Sequence, residues 1–364
     1  MTLMSNRRVS KLLQPGLLEA APYAVPDTGD FIKLDAMENP YKWPAELTEL
    51  WLAEMRGLDL NRYPDARAVR VKEALRTYLT LGAGQQLIMG NGSDELIQML
   101  VLCIAGSGRP ILAPEPTFVV YKQVATWLGV PFVGVPLRQS DLSIDVDAML
   151  LEIERVRPAL LFLAYPNNPT ANLFDRDDIE RIISACPGLT VLDEAYYPFA
   201  CKSNIDLLQK YKNVLIMQTL SKLGLAGIRV GWLFGDQDWL EQIEKLRMPY
   251  NLSVLSQATA AFMLEHVEVL DAQAEKIREH RDALYTRLTS IEGIRVWPSK
   301  ANFLMFSTSV PAQYLHARLR AHGVLIKCLD GMHPLVDNCL RVTVGLPEET
   351  ERFLTVLQES LVEL

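Results

Sequence analysis

A lysine in the middle of the chain, Lys222, has the surroundings of a reactive amine. It follows Ser221 at the end of the apolar run NVLIMQTL and precedes Gly224. A partly buried lysine can lose its proton and attack a carbonyl carbon. Arg229 comes seven residues later, and a guanidinium close to a serine hydroxyl suits a phosphate group. Most single lysines are solvated surface charges, so a reactive lysine is predicted only if other residues support it.

A carboxylate, Asp193, ends another apolar run, LTVL. A charge in that position is costly unless it is paired. One interpretation is a salt bridge or a helix cap. The other is a partner for a positively charged heterocycle, which would give the residue a role in catalysis.

A glycine-rich turn of Gly92, Ser93 and Asp94 separates the apolar run LIMG from the helix-like segment ELIQML. Free backbone N–H groups and the positive end of a helix dipole at such a turn suit a phosphate. An ordinary helix N-cap by Ser93 or Asp94 explains the same residues equally well.

The elements that must position these residues are short apolar runs that alternate with amphipathic segments. This pattern predicts an α/β fold with a mostly parallel, doubly wound sheet whose strands are buried on both faces. Ligands bind beyond the carboxyl ends of the strands in such a sheet. Asn168 and Thr219 also follow apolar runs, ALLFLAYP and VLIMQ. We therefore expect all four polar clusters to form one site.

The pattern changes near residue 255, which predicts two domains. Residues 46–255 are predicted to form the large α/β domain. Residues 256–364 contain long helical segments followed by the strand-like runs IRVWPS, NFLMFS, GVLIK and CLRVTV. With the irregular residues 1–45, they are predicted to form a smaller α+β domain.

The composition argues against several classes of function. A formal net charge of −8 does not favour a broad basic face for nucleic acid. The cysteine number is odd, with 5 in the chain and no Cys-x-x-Cys pair, so neither a disulfide framework nor a zinc ribbon is expected. The 5 histidines form no His-Glu-x-x-His cluster, and we expect no metal. No membrane span is visible, and a cytoplasmic protein is expected.

Three segments together resemble the class I and II aminotransferases, which are pyridoxal-phosphate enzymes of fold type I. TLSKLGLAGIRVGW is similar to their cofactor attachment site, YPNNPTAN to their asparagine loop and LDEAYYPF to their aspartate–tyrosine strand. GNGSDELI, PEPTF and NRYPD narrow the resemblance to the histidinol-phosphate aminotransferase branch. LDAMENPY and CLRVTVGLPEE extend it over nearly the whole chain.

The resemblance implies a role for each of these residues. Lys222 would carry pyridoxal phosphate and later move the substrate proton. Asp193 would keep the ring nitrogen protonated, while Asn168 and Tyr196 would hydrogen-bond the phenolic oxygen. Phe118 would stack on the ring. The phosphate would be held by Gly92, Ser93, Asp94, Thr219, Ser221 and Arg229, and by Tyr63 of a neighbouring subunit in a homodimer.

The resemblance also implies how the substrate is bound. Arg341 would bind its anionic end, with Lys327 nearby, and Tyr23 and Asn39 would lie in a segment that covers the site. The implied reaction is amino transfer between L-histidinol phosphate and 2-oxoglutarate by a ping-pong mechanism. A threonine-phosphate decarboxylase and an aromatic aminotransferase of the same fold remain alternatives. A non-catalytic regulator domain is disfavoured, because the residues implied in catalysis are all present.

The chain departs from the family pattern at several positions. The spacing between Lys222 and Arg229 is one residue shorter than usual, so the turn between them must be tighter. Lys327 replaces a second arginine and would meet an anion as a point charge. Met37 stands where asparagine is frequent, and Phe118 where tyrosine is frequent. Ala171 replaces the usual glycine at the end of the asparagine loop.

Overall fold

The computed structural model describes residues 11–22, 29–82 and 85–362 of the 364-residue chain. Its main feature is a seven-stranded sheet with the order β2-β8-β7-β6-β5-β3-β4. The strands of this sheet are β2 (Leu87–Asn91), β3 (Ile111–Glu115), β4 (Phe132–Pro136), β5 (Leu160–Ala164), β6 (Leu189–Asp193), β7 (Val214–Thr219) and β8 (Val230–Gly235). Only β8 runs antiparallel to its neighbours, which confirms the predicted, mostly parallel sheet.

Helices cover both faces of this sheet. The connecting helices are α3 (Val69–Tyr78), α4 (Gly92–Ile104), α5 (Val119–Trp127), α6 (Val146–Val156), α7 (Arg176–Ala185), α8 (Tyr197–Ala200), α9 (Leu207–Lys210) and α10 (Gln237–Glu244). On β5, Leu161 and Leu163 belong to the core that includes α6 and α7. Leu160 and Phe162 belong to the core that includes α4 and α5. Successive side chains of a strand point to opposite faces, so the continuous apolar runs fill two cores at once.

A second sheet of four antiparallel strands forms in the C-terminal part of the chain, in the order β12-β13-β10-β9. Its strands are β9 (Ile294–Val296), β10 (Phe303–Thr308), β12 (Lys327–Cys328) and β13 (Cys339–Thr343). Near it lie α12 (Val267–Thr289), α13 (Ala312–Ala321) and α14 (Pro347–Val362), whereas α11 (Val254–Glu265) packs on α3. This is the predicted α+β part. The domain limits 46–255 and 256–364 stay a prediction.

The N-terminal segment contains α1 (Pro15–Glu19), β1 (Ile32–Lys33) and α2 (Ala45–Met55). Helix α1 packs on α5 and α2 packs on α11, whereas residues 32–37 join the C-terminal part. Strand β1 pairs in parallel with β11 (Val324–Leu325), and the N–H of Thr343 donates to Leu34 O at 2.8 Å. These contacts place residues 35–39 beside the end of β13. Within the described ranges, no helix combines the length and apolar character needed to cross a bilayer.

A buried carboxylate, Glu194, ties the end of β6 to its surroundings. Its side chain is fully buried and accepts hydrogen bonds from Ser203 Oγ at 2.7 Å and Gln218 Nε2 at 2.9 Å. The backbone N–H and side-chain amide of Asn204 also donate to it, at 2.7 and 3.1 Å. Burial raises the pKa of Glu194, and these donors oppose that shift. The network therefore fixes the strand end that carries Asp193.

Replacing Glu194 with alanine should strongly destabilise the fold. The change leaves the buried donors of Asn204 and Gln218 without an acceptor, at a cost of about 1–3 kcal/mol for each unsatisfied group. Thermal unfolding followed by circular dichroism would measure the loss. Glu152→Ala, which removes an exposed partner of Arg155 on α6, is the matched control and should change the melting temperature little. Equal shifts for the two variants would contradict the structural role of Glu194.

Candidate active site

The predicted polar clusters meet at one edge of the seven-stranded sheet. Ala164 of β5 pairs with Asp193 of β6, and Thr219 of β7 pairs with Gly231 of β8. Asn91, at the end of β2, pairs with Val230. This edge of the sheet therefore brings together the carboxyl ends of β2, β5, β6 and β7 and the start of β8. Parallel strands place their carboxyl ends at one edge, as the sequence pattern predicts.

A cavity of about 420 Å³ lies at this edge. Most of the residues predicted for the site line it: Ser93, Asp94, Phe118, Asn168, Asp193, Tyr196, Thr219, Ser221, Lys222, Arg229, Lys327 and Arg341. Gly92 lies beside the cavity, in contact with Arg229. Asn39 and Tyr63 do not line it. Tyr23 falls outside the described residues.

The amine of Lys222 lies in a place that disfavours its charge. Its Nζ donates to the backbone oxygen of Ala36 at 3.1 Å and lies 5.9 Å from the centre of the Tyr196 ring. Burial, followed by the positive charge of Arg341, lowers the pKa of Lys222 to about 8. With this pKa, about a tenth of the amine is uncharged at pH 7 and about half at pH 8, and the uncharged form is the one that a nucleophile or general base requires.

The turn after Lys222 is tight, as the short spacing to Arg229 predicts. An irregular helical turn, Ser221–Leu225, is followed at once by a short 3₁₀ turn, Ala226–Ile228. Gly224 has φ +142° at the junction, and a Cβ there would lie 2.9 Å from Asn39 Nδ2. Glycine therefore permits both the backbone angle and the close approach of Asn39.

Asn39 packs behind this turn and not on the cavity wall. Its Nδ2 donates to Leu223 O and to Gln273 Oε1, both at 2.9 Å, and its Oδ1 accepts from the N–H of Tyr41. The substrate-binding role that the resemblance implies for Asn39 stays a prediction. In this structure Asn39 joins the N-terminal segment to Leu223, the residue that follows Lys222. No sequence motif indicated that pairing, because it depends on how distant segments pack.

The carboxylate of Asp193 is buried without a cationic side chain beside it in the described part of the chain. Its Oδ1 accepts from the backbone N–H of Ala195 at 3.1 Å, and its Oδ2 accepts from the hydroxyl of Tyr121 at 2.5 Å. Burial raises the pKa of Asp193 to about 6. A positively charged ligand atom would favour the ionised form and stabilise it. Sequence reasoning missed Tyr121, because nothing in PTFVVY marks it as polar-facing.

Asn168, Tyr196 and Arg341 form a connected group on the cavity wall. Asn168 Nδ2 donates to Tyr196 Oη at 3.2 Å, and Arg341 Nη1 donates to Asn168 Oδ1 at 2.6 Å. Arg341 Nη2 donates to Asp35 O at 2.9 Å. The preceding Asn167 has a different role, since its buried Nδ2 donates to Pro116 O at 2.9 Å and to Thr170 Oγ1 at 2.7 Å. Of the two adjacent asparagines, Asn168 lines the cavity and Asn167 holds the loop in place.

Lys327 and Arg341 lie opposite each other on the cavity wall. Lys327 of β12 is the direct register partner of Arg341 of β13, and both line the cavity. Like charges directly opposite on neighbouring strands repel each other. An anionic ligand between them would relieve that repulsion, which makes the pair a candidate anion site.

A second candidate anion site lies at the start of α4. Arg229 Nη1 donates to Ser221 Oγ at 3.3 Å, and its Nη2 pairs with Asp94 Oδ2 at 3.1 Å. Gly92 has φ +76°, and a Cβ there would lie only 2.4 Å from Arg229 Nη2. Ser93 and Asp94 lie in the first helical turn, where backbone N–H groups have no partner within the helix. Guanidinium, hydroxyl and helix end together suit a phosphate.

Tyr63 lies on the surface and 80% of it is exposed. Its ring stacks on Tyr250 with the ring centres 4.5 Å apart. Leu60, Met248 and Leu255 are further exposed apolar residues. The role that the resemblance implies for Tyr63 needs a second subunit and stays a prediction. In the described ranges, no cluster of three His, Cys, Asp or Glu side chains has the arrangement of a metal site.

In the ligand-free protein, the pKa of Lys222 should lie well below that of an ordinary lysine. Reductive methylation with formaldehyde, quantified for each lysine by peptide mass spectrometry, should show the reactivity of Lys222 rising around pH 8. Lys210, whose pKa is raised by Glu180, is the internal control and should react only at higher pH. Arg341→Gln should move the Lys222 midpoint upward, because it removes a positive neighbour. Superimposed profiles for Lys222 and Lys210 would contradict the assignment.

The chain matches the family "Aminotransferase class I and II" over residues 29–357. It is 47% identical to histidinol-phosphate aminotransferase 2 of Nitrosococcus oceani, over 98% of this chain and 99% of that protein. The crystal structure of histidinol-phosphate aminotransferase from Sinorhizobium meliloti in complex with pyridoxal-5'-phosphate shares the fold. It has a TM-score of 0.85 at 24% identity and covers 96% of this chain and 98% of its own.

The fold does not separate reaction types within this group. The L-threonine-O-3-phosphate decarboxylase of Porphyromonas gingivalis has a TM-score of 0.77 at 19% identity, covering 91% of this chain and 99% of its own. Family membership rests instead on the match along the sequence and on the near full-length relative. The chain belongs to the class I and II aminotransferase family.

Proposed function

We propose that the protein is a pyridoxal-phosphate-dependent aminotransferase acting on L-histidinol phosphate and 2-oxoglutarate. The products would be imidazole acetol phosphate and glutamate, in histidine biosynthesis, by a ping-pong mechanism. One observation carries the proposal: Lys222, Asp193 and the cation pair of Lys327 and Arg341 line the same cavity. The near full-length relatives named histidinol-phosphate aminotransferase support the choice of amino donor.

The residues present fit pyridoxal phosphate. Asp193 is a buried carboxylate that lacks a cationic partner among the described side chains, and a protonated ring nitrogen would supply one. The absence of a side chain on Gly92 lets the Arg229 guanidinium lie against the start of α4, where it bonds Ser221, and this arrangement suits the phosphate. When bound, the cofactor supplies a carbonyl carbon that reacts with amines and a ring that accepts electrons.

Each part of the cofactor would have its own set of residues. Asn168 and Tyr196 would hydrogen-bond the phenolic oxygen, and Phe118 would provide an apolar face for the ring. Asp193 would bind the ring nitrogen and Lys222 would form the covalent link. The phosphate would be held by Gly92, Ser93, Asp94, Thr219, Ser221 and Arg229.

Lys222 would also move the proton during the reaction. Once released from its covalent link, its Nζ would take the proton from the amino-bearing carbon of the donor and pass it to the cofactor. A general base works best when its pKa lies near the working pH. The lowered pKa of Lys222, near 8, suits this role.

Arg341 and Lys327 would bind the two substrates in turn. Both substrates are anions, since L-histidinol phosphate carries a phosphate and 2-oxoglutarate carries carboxylates. The guanidinium of Arg341 is already oriented by Asn168 and the backbone oxygen of Asp35. Lys327 adds a compact charge on a flexible stem, which can adapt to two anions of different shape.

We also propose a homodimer in which Tyr63 reaches the phosphate site of the partner subunit. The exposed tyrosine stack and its apolar neighbours support an interface on this face. The predicted division into a large domain of residues 46–255 and a smaller one formed by the remainder belongs to the same proposal, as does a cytoplasmic location.

The amino donor is tested by one half of the reaction. Adding L-histidinol phosphate alone to the enzyme with bound cofactor should change the cofactor absorbance. Adding 2-oxoglutarate should reverse the change and release glutamate. No change would overturn the proposed donor. Release of carbon dioxide from threonine phosphate would then indicate a decarboxylase, and a response to phenylalanine would indicate an aromatic aminotransferase. Lys222→Ala is the control and should show neither half of the cycle.

The shared site is tested by mixing two inactive variants, Tyr63→Ala and Lys222→Ala, after unfolding and refolding them together. Each mixed dimer would contain one intact site, so activity should rise to roughly a quarter of the wild-type value. Mixing Tyr63→Ala with the double variant Tyr63→Ala/Lys222→Ala is the control, because no mixed dimer then has an intact site. Equal activity in the two mixtures would contradict a composite site.

A further inference from the structure

We infer that Tyr121 is a positioning residue that orients the carboxylate of Asp193 and keeps it ionised for the ring nitrogen of the cofactor. The inference rests on the proposed function, because it concerns the partner that Asp193 would bind. Tyr121 does not line the cavity, and it would act only through Asp193.

The ring of Tyr121 is held in place by two aromatic neighbours. It is fully buried and stacks on Phe162 of β5, with the ring centres 4.3 Å apart and the planes 1° from parallel. The ring of Phe118 meets it edge-on at 5.5 Å and 87°. Because the ring is packed on both its face and its edge, the hydroxyl can point in few directions. That hydroxyl points at Asp193 Oδ2.

Packing alone does not explain a tyrosine at this position. Phenylalanine would make the same two aromatic contacts without bringing a polar group into an apolar cluster. A buried hydroxyl is unfavourable unless it is hydrogen-bonded. Among the described residues, the carboxylate of Asp193 accepts a hydrogen bond from this hydroxyl. That bond accounts for a tyrosine at position 121.

The electrostatic surroundings of Asp193 make this hydrogen bond important. Burial raises the pKa of Asp193, and the negative charges of Asp94 and Glu194 raise it further. The donors that lower it are the hydroxyl of Tyr121 and the backbone N–H of Ala195. The pKa of Tyr121 itself lies well above its ordinary value, because of burial and the nearby Asp193. Tyr121 therefore stays protonated and remains a donor throughout the working pH range.

The direction of the pH effect follows from these contacts. A protonated Asp193 must lose its proton to pair with a positively charged ring nitrogen. Affinity for the cofactor should therefore fall as the pH drops below about 6, the pKa of Asp193. Removing the Tyr121 hydroxyl should raise that pKa and move the loss of affinity toward neutral pH.

Tyr121→Phe tests the inference, because it keeps the ring and removes only the hydroxyl. The dissociation constant of pyridoxal phosphate for the cofactor-free protein would be measured by quenching of protein fluorescence from pH 5 to 9. We expect the acidic limb to move upward by about one pH unit, the size of one charge-assisted hydrogen bond. The phosphate of the cofactor and Lys222 titrate in both proteins, so the difference between the profiles reports on Asp193. In steady-state kinetics, kcat should fall more than KM rises.

Tyr78→Phe is the matched control. It also removes a tyrosine hydroxyl hydrogen-bonded beside a carboxylate, since Tyr78 contacts Tyr197 and Asp271, but it does not touch Asp193. Its profile should match that of the wild-type protein. Asp193→Asn is the reference for complete loss and should bind weakly without the acidic limb.

Three results are decisive. An unchanged midpoint in Tyr121→Phe would overturn the inference, as would a loss of affinity that is equal at every pH. Wild-type protein that does not bind pyridoxal phosphate would instead overturn the proposed function. If Tyr121→Phe does not fold, Tyr121→3-fluorotyrosine keeps the shape and strengthens the donor. The midpoint should then move downward, and no movement would overturn the inference.

Discussion

The site depends on keeping two ionisable groups of opposite sign in one buried space without pairing them to each other. Burial lowers the pKa of Lys222 to about 8 and raises that of Asp193 to about 6. Both shifts have the same cause, since a poorly solvated charge is unfavourable whatever its sign. The amine is thereby available for chemistry near neutral pH, and the carboxylate favours a positively charged ligand. A direct salt bridge would have removed both properties.

Keeping the two groups apart requires supports from distant parts of the chain. Lys222 donates to the backbone of Ala36 in the N-terminal segment, and Asn39 from that segment holds the turn behind it. Asp193 is supported by Tyr121 on one side and the Ala195 backbone on the other. The supports are direct hydrogen bonds of 2.5 to 3.1 Å, which fix the groups more firmly than long side chains in solvent would.

The two candidate anion sites also hold charged side chains in fixed positions. Arg229 is held by Ser221 and Asp94 at the start of α4. Arg341 and Lys327 are held opposite each other on two strands. Each arrangement keeps positive charge in the cavity before any ligand arrives, so little reorganisation is needed on binding. Lys327 offers a compact charge and Arg341 a planar fork of donors, so the two side chains meet an anion in different ways.

The sequence by itself determined the class of sheet and the strand ends at which Asn168, Asp193 and Lys222 stand, because apolar runs followed by polar clusters are local patterns. Only the tertiary structure decided which residues support them. Tyr121 reaches Asp193 across 72 positions, and Asn39 reaches Leu223 across 184. Such pairs depend on how helices and segments pack on the sheet. No spacing along the chain encodes that packing, whereas the order of strands and polar ends can be read residue by residue.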